Sequence, residues 1–308
     1  MAPSQITYLT FGIVLILAVV FDLGLLSKKG KTVTMKKALV QTGFWILLAL
    51  AFFGFLWYEQ GHKTAIEYLS AYLMEWSLSI DNIFVFILIF SFFKLNEKYF
   101  ARVLLIGILI AIILRIIFIT VGVALVANFH WILYIFGAIL IYTGISMFTA
   151  KKDEGVNLEE NKVYKFLKRF LPVTSEDGNG KLAIIKNGKK MYTSIFVVII
   201  LLATTDLIFA IDSIPAVFGI TQERLVIYTS NIFAVLGLRS LFFLLRGAVN
   251  KFTYLQQGIA VVLIFIGLKM LSEILGINIS IYISLLVIIL CIGIAILISV
   301  MRQKNKLV

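Results

Sequence analysis

The chain has 308 residues, 61% of them hydrophobic and 14% charged, with a mean hydropathy of +1.03, a net charge of +12 and a single cysteine, Cys291. Its apolar runs repeatedly reach the roughly 20 residues that a helix needs to cross a bilayer core, which excludes a soluble globular domain. One cysteine excludes an intrachain disulfide or a thiolate metal cluster, and Cys291 reads as a packing residue in its apolar run.

In chain order the apolar periodicity predicts an all-α membrane protein of about nine transmembrane helices, at residues 6–26, 38–58, 68–93, 103–125, 129–149, 193–218, 225–245, 255–275 and 280–300. The first ten residues carry no Lys or Arg and the first span is too long for a secretory core, so it is expected to stay as a helix. After it, Gly30-Lys31-Thr32 resembles the end of a phosphate-binding loop. Gly24 stands one residue too far away for that motif, and no nucleotide domain surrounds it. Alternate connections hold 23 of the 28 Lys and Arg residues, whereas the others hold only Lys63 and Arg224. The positive-inside rule then places the N-terminus outside and the C-terminus in the cytoplasm, so the basic excess marks loops and not nucleic-acid binding. The longest connection mixes ten basic with six acidic residues. Around Asn187-Gly188, Lys181–Ser194 reads either as a small hairpin or as a solvated linker.

Two acidic motifs of equal spacing interrupt spans three and six: Glu75-WSLSI-Asp81-Asn82 and Asp206-LIFAI-Asp212-Ser213. A carboxylate at the bilayer centre costs roughly 2.5–3.5 kcal/mol even on lenient insertion scales, so four of them mark a functional site. Aligning the halves on these motifs brings ILRIIFI (113–119) near GLRSLFF (237–243), matching Arg115 with Arg239, and YTGISMF (142–148) near FIGLKML (265–271). A three-helix unit therefore repeats as spans three to five and six to eight. Its odd helix count makes the copies inverted, a design recurrent in secondary transporters with the substrate at the midplane. The expected organisation is two N-terminal helices (1–65), a first repeat (66–150), a cytoplasmic loop (151–192), a second repeat (193–276), and a last helix with a basic tail (277–308). Inversion suggests that Glu75 pairs with Asp212 at an outer level and Asp81 with Asp206 at an inner one. Acids six residues apart lie about 120° around a regular helix; local unwinding would bring them together, with Pro215 as its cause in the second motif, while the first motif has no proline and its helix is expected to stay regular.

Lys269 and Glu273, four apart, neutralise each other, and Asp22 lies near Lys28 and Lys29 or water. The remaining four carboxylates face two arginines, a deficit of two charges that one divalent cation or two protons would supply. Metal ligands are expected among Glu75, Asp81, Asn82, Asp206 and Asp212, with Ser213, Thr205, Arg115 and Arg239 as further ligand or coupling positions. Thr204 is another candidate oxygen. The arginines also fit a plain role fastening helices, and the hydroxyls fit interhelical bonding. The two histidines, His62 and His130, fall in outer connections, so the oxygen-rich motifs suit Mn²⁺, Mg²⁺ or Ca²⁺ better than Zn²⁺, Cu⁺ or Ni²⁺. Met74 beside Glu75 is a packing residue or a slight bias towards Mn²⁺. The expected partners are a divalent ion, protons and the bilayer, with no permanently bound cofactor and no enzymatic step. A membrane metal sensor or scaffold would use the same carboxylates. An intramembrane aspartyl protease is the enzyme-class alternative, but none of these aspartates lies in a GxGD sequence.

The stretches EWSLSIDNIFVF (75–86), RVLLIGILIAIILR (102–115), FHWILYIFGAILIYTG (129–144), RFLPVTSEDGNGK (169–181), TDLIFAIDSIPAVFGIT (205–221) and TSNIFAVLGLRSLFFLLRG (229–247) closely resemble the TerC/Alx integral membrane proteins, related to the LysE-type exporters. The resemblance implies metal-ion homeostasis in a bacterial inner membrane, chiefly manganese efflux, with an association to tellurite resistance. Under it, Glu75, Asp81, Asn82, Asp206 and Asp212 match the ion-binding motif positions. Two departures stand out. Relatives often have glutamate where this chain has Ala203 and proline where it has Ser194. The first bears on rate, ion preference or coupling, the second on helix entry.

Overall fold

A computed structural model describes residues 9–17, 20, 33–129, 131–149, 165–166, 168–169, 171–174, 178–186, 188–246, 254–277 and 279–304. Within them, the side chains of Asp81, Phe84, Thr149, Asp212, Leu255, Glu273, Val300, Gln303 and Lys304 lie outside the description. The Lys269–Glu273 pairing, the surroundings of Asp22 and His130, and the side-chain roles of Asp81 and Asp212 therefore lie outside it too.

The protein is an all-α membrane protein with one small hairpin. Its helices are α1 (Met35–Glu59), α2 (His62–Phe92), α3 (Phe100–Asn128), α4 (Ile132–Thr149), α5 (Ser194–Phe218), α6 (Arg224–Leu245), α7 (Leu255–Ser272) and α8 (Ile281–Lys304). Among the described residues, six helices are long and apolar enough to cross a membrane, and two shorter apolar ones, Ile132–Phe148 and Gln256–Ser272, stand at expected spans five and eight. Residues 9–17, within expected span one, are helical.

At 31 residues, α2 would extend about 46 Å, longer than a hydrocarbon core of about 30 Å, so its length fits a tilted span or one that projects beyond the core. Thr34 caps α1 by accepting a hydrogen bond from the Lys37 amide. Ala38, Trp45, Ala49, Phe52 and Leu56 then form the buried stripe of that helix, at helical spacing. Nearly every residue of α6 is buried. It is the central post, wrapped by α1, α2 and α3.

The helix pairs form a symmetric set. α2 lies on α6 and α3 on α5, while α2 meets α5, α3 meets α6 and α4 meets α7. Exchanging the unit α2–α3–α4 with α5–α6–α7 maps this set of pairs onto itself, as two units related by a two-fold axis would require. On that axis α4 and α7 approach backbone to backbone. A Cβ on Gly267 would come within 2.6 Å of the Gly137 carbonyl, and one on Gly137 within 3.0 Å of the Gly267 carbonyl. Small residues permit this approach, which in lipid must rest on van der Waals contact.

The long connection contributes an antiparallel hairpin, β1 (Ala183–Lys186) and β2 (Lys189–Tyr192), turned at Gly188 with φ +74°. It is the hairpin read from Asn187-Gly188. The preceding loop is fastened to the start of α3: Arg102 donates to the Gly180 carbonyl at 2.9 Å, and a Cβ on Gly180 (φ +87°) would meet the Tyr99 ring at 2.7 Å.

The first acidic motif sits in the regular helix expected of it, and the second sits in unbroken helix too, contrary to the expected unwinding there. α2 and α5 run without interruption through both motifs, and Pro215 stands in the last turn of α5, where its carbonyl accepts from Gly219 at 3.0 Å. A proline so close to the end removes one hydrogen bond without opening the helix around Asp212.

The axis contact makes a stability prediction. Gly267→Val should destabilise the protein by about 1–3 kcal/mol through overpacking, whereas Gly54→Ala, whose Cβ meets nothing within 4 Å, should be neutral. Thermal unfolding in detergent distinguishes the two.

Candidate functional site

Arg115 stands near the middle of the 29-residue α3, one of the helices long and apolar enough to cross a membrane. Its side chain is 3% exposed. A buried guanidinium cannot shed its proton and needs acceptors for a fork of five donors. Three neighbouring helices provide them. Asp206 of α5 takes a two-pronged grip, Nε to Oδ2 at 3.0 Å and Nη2 to Oδ1 at 3.1 Å. Glu75 of α2 accepts from Nη1 through Oε2 at 2.6 Å. Asn231 of α6 accepts from the same nitrogen through Oδ1 at 2.9 Å, with the Ser213 hydroxyl of α5 at the edge of contact, 3.5 Å away. Asn231 is held in turn by its amide donating to the Ile227 carbonyl at 3.0 Å.

The first acid of each motif thus meets the other at one guanidinium. This overturns the expected assignment of Glu75 and Asp206 to separate levels. Spacing along each helix gives depth only if both stand upright, and the reach of the guanidinium fork lets carboxylates on crossing helices share one cation. Among the described residues, no three groups of the His, Cys, Asp and Glu types cluster as a ready metal cage. What is assembled is a pair of carboxylates around an internal cation.

Asn82, Thr205, Ser213 and Arg239 are all buried. Thr204 turns its hydroxyl to the Ile200 and Leu201 carbonyls of its own helix and spends its proton there. Ala203 is buried on α5, three residues before Asp206. Asn231 was not singled out by the sequence reading. Its one signal was an amide inside an apolar span eight residues before Arg239.

Another feature runs along α2. Tyr68, Tyr72, Glu75, Ser79 and Asn82 are all buried and recur at helical spacing, forming one polar stripe within an apolar helix. Three of its oxygens, Tyr68 Oη, Glu75 Oε1 and Ser79 Oγ, have no hydrogen-bond partner among the described residues. Buried unsatisfied oxygens are rare enough to point to water or an ion.

Comparison with known proteins agrees with this architecture. Residues 60–307 match the family described as "Integral membrane protein TerC family". The chain belongs to the TerC family. It is 43% identical over 249 residues to membrane protein STKORF319 of Myxococcus xanthus, covering 81% of this chain and 78% of that one. It is 39% identical over 298 residues to a membrane protein of Rickettsia bellii, covering 97% and 98%. It is 40% identical over 270 residues to the Escherichia coli K12 protein named "Putative membrane-bound redox modulator Alx", covering 85% and 84%. No solved structure matches. Glu75, Asp206, Arg115 and Asn231 all lie within the family match, in an integral multi-pass membrane protein with bacterial relatives.

Opposite stability effects are expected within the site. Asn231→Leu removes an acceptor of a charge-assisted bond and should cost about 1.5–3 kcal/mol. Tyr68→Phe deletes a buried hydroxyl that has no partner among the described residues and should leave stability unchanged or raise it. Unfolding of the two variants in the same detergent checks both signs.

Proposed function

We propose that this TerC-family protein is a secondary transporter that exports a divalent metal ion, Mn²⁺ first among them, across a bacterial inner membrane in exchange for protons. The observation that carries this reading is the convergence of Glu75 and Asp206, from corresponding helices of the two halves, with one Glu75 oxygen lacking a partner among the described residues. Oxygen donors of this kind favour a hard divalent ion. Asp81, Asn82 and Asp212 follow one to two turns along the same helices and are the proposed further ligands, with Thr205 and Ser213 as neutral oxygens. Arg239, buried on α6, is proposed to tune the charge balance. The orientation proposed is an external N-terminus and a cytoplasmic C-terminus. The Alx relatives are named for redox modulation. An internal dithiol couple needs two cysteines, and this chain has one. A non-transporting metal sensor would use the same carboxylates and is separated from a transporter by flux.

Purified protein in vesicles should move Mn²⁺ faster than protein-free vesicles do, with Mg²⁺ and Ca²⁺ competing more effectively than Zn²⁺. Asp81→Asn, Asp206→Asn and Asp212→Asn should each reduce that flux at least about tenfold while remaining membrane-inserted, since neutralising a carboxylate lowers the insertion cost. Glu75→Gln should lose as much as Asp206→Asn, because the structure puts both on the same guanidinium. Binding of Mn²⁺ without any flux would instead establish the sensor.

Coupling has its own readout. Protons and metal compete for carboxylate oxygens, so apparent affinity should rise with pH between about 6 and 8. An imposed pH gradient should drive Mn²⁺ opposite to the proton flow. Ala203→Glu should steepen the pH dependence. Flux indifferent to both pH and gradient would contradict antiport.

A further inference from the structure

We infer that Arg115 is a tethered substitute for the transported ion: in the metal-free protein its guanidinium occupies the carboxylate pair, and the incoming divalent cation displaces it. The inference rests on the transport reading and assigns Arg115 a role in the return of the empty carrier.

The charges carry the inference. Ionised Glu75 and Asp206 together bear two negative charges, matching one divalent cation. Arg115 supplies one positive charge at the same place, held to both carboxylates by three charge-assisted hydrogen bonds. A guanidinium and a metal ion cannot both take these oxygens, so metal binding requires the fork to leave Asp206 and Glu75.

The structure also offers the guanidinium somewhere to go. One of its contacts, Asn231 Oδ1 at 2.9 Å, is a neutral oxygen from α6 outside the proposed ligand set. This acceptor would keep the cation bonded after the carboxylates turn to the ion. Glu75 already has one oxygen, Oε1, buried and without a partner among the described residues, as a carboxylate that is only half committed to Arg115 would.

A role on the return journey follows. Two uncompensated carboxylates are costly to carry through the hydrocarbon region. With Arg115 in place, the metal-free site reorients with one of those two charges answered from within, and an exchanged proton answers the other. A purely structural arginine would only fasten α2, α5 and α6 to α3.

The test separates net transport from exchange in proteoliposomes containing purified full-length protein, with Mn²⁺ as the probe. In Arg115→Gln, net Mn²⁺ efflux into metal-free medium should fall at least about tenfold, because the empty carrier can no longer return. Exchange of labelled internal Mn²⁺ against external Mn²⁺ should persist within about threefold of wild type, because the loaded carrier still crosses. Equilibrium Mn²⁺ binding should tighten at least about tenfold with the internal competitor gone. Arg115→Lys keeps the charge without the fork and should restore a substantial part of the net efflux. Net efflux unchanged in Arg115→Gln would overturn the inference, as would weaker Mn²⁺ binding or equal loss of efflux and exchange in that variant. Should Arg115→Gln fail to insert as a monodisperse protein, Arg115→Lys decides: net efflux retained supports the inference, and loss of both fluxes in a folded protein overturns it. A wild-type protein showing neither efflux nor exchange would instead refute transport itself, a different result from any of these.

Discussion

The central polar cluster of this protein is arranged around the requirement that a guanidinium buried among apolar helices be surrounded by acceptors. Arg115 cannot be neutralised by losing its proton, and its side chain is 3% exposed. Four helices are thereby committed to one another: α3 brings the cation, α2 and α5 the carboxylates, and α6 the amide oxygen of Asn231. In water such a cluster would add little over a hydrophobic core of the same shape. In a bilayer, helices have no hydrophobic driving force for burying one apolar face against another, so a point where directional bonds converge helps select one packing among many. The same cluster joins the unit α2–α3–α4 to the unit α5–α6–α7, because Arg115 and Glu75 come from the first while Asp206 and Asn231 come from the second.

Much of this was legible in the sequence. The apolar runs place the helices to within a few residues, because the spans must be long and apolar whatever they pack against. The equal spacing in the two acidic motifs singled out Glu75 and Asp206, since charge inside an apolar run has few explanations. Matching ILRIIFI with GLRSLFF brought Arg115 into view. What the sequence did not disclose was which acid faces which. Arg115 reaches partners 40, 91 and 116 residues away, and those meetings depend on helix tilts that no local pattern encodes. Asn231 was missed for a related reason. One amide in a buried helix has no periodicity, and it gains meaning only when the neighbour that needs its oxygen is known. The expected unwinding at Pro215 failed because the position of the proline within the helix matters more than its presence. Near the end of α5 its missing donor leaves a single carbonyl less satisfied, and the helix around Asp206 and Asp212 stays intact.

The loop before the hairpin illustrates how a connecting segment can be specific without lining a site. RFLPVTSEDGNGK is distinctive in sequence, and part of the reason is steric and local: Gly180 adopts φ +87° against the face of Tyr99, and its carbonyl receives Arg102. Thr193, just before α5, closes the same turn by donating to the Lys181 carbonyl at 2.7 Å. The segment therefore ties the entrance of α3 to the entrance of α5, the two helices that deliver Arg115 and Asp206 to each other. A shift in this clip would be felt along both helices as a change in register between cation and carboxylate.

The meeting of α4 and α7 at Gly137 and Gly267 has a mechanical meaning of its own. Two backbones already in contact, with no side chain between them, have no slack to be squeezed out and no spare atoms to fill a gap if they part. Separation would open a void, and compression would drive carbonyl into Cα. Sliding is opposed as well, because Gly144 on the same face sits within 2.7 Å, measured from a notional Cβ, of the Ala260 carbonyl. That second contact, about two turns along from Gly137, also opposes rotation about a single point, so α4 and α7 are shaped as one rigid strut joining the unit α2–α3–α4 to the unit α5–α6–α7.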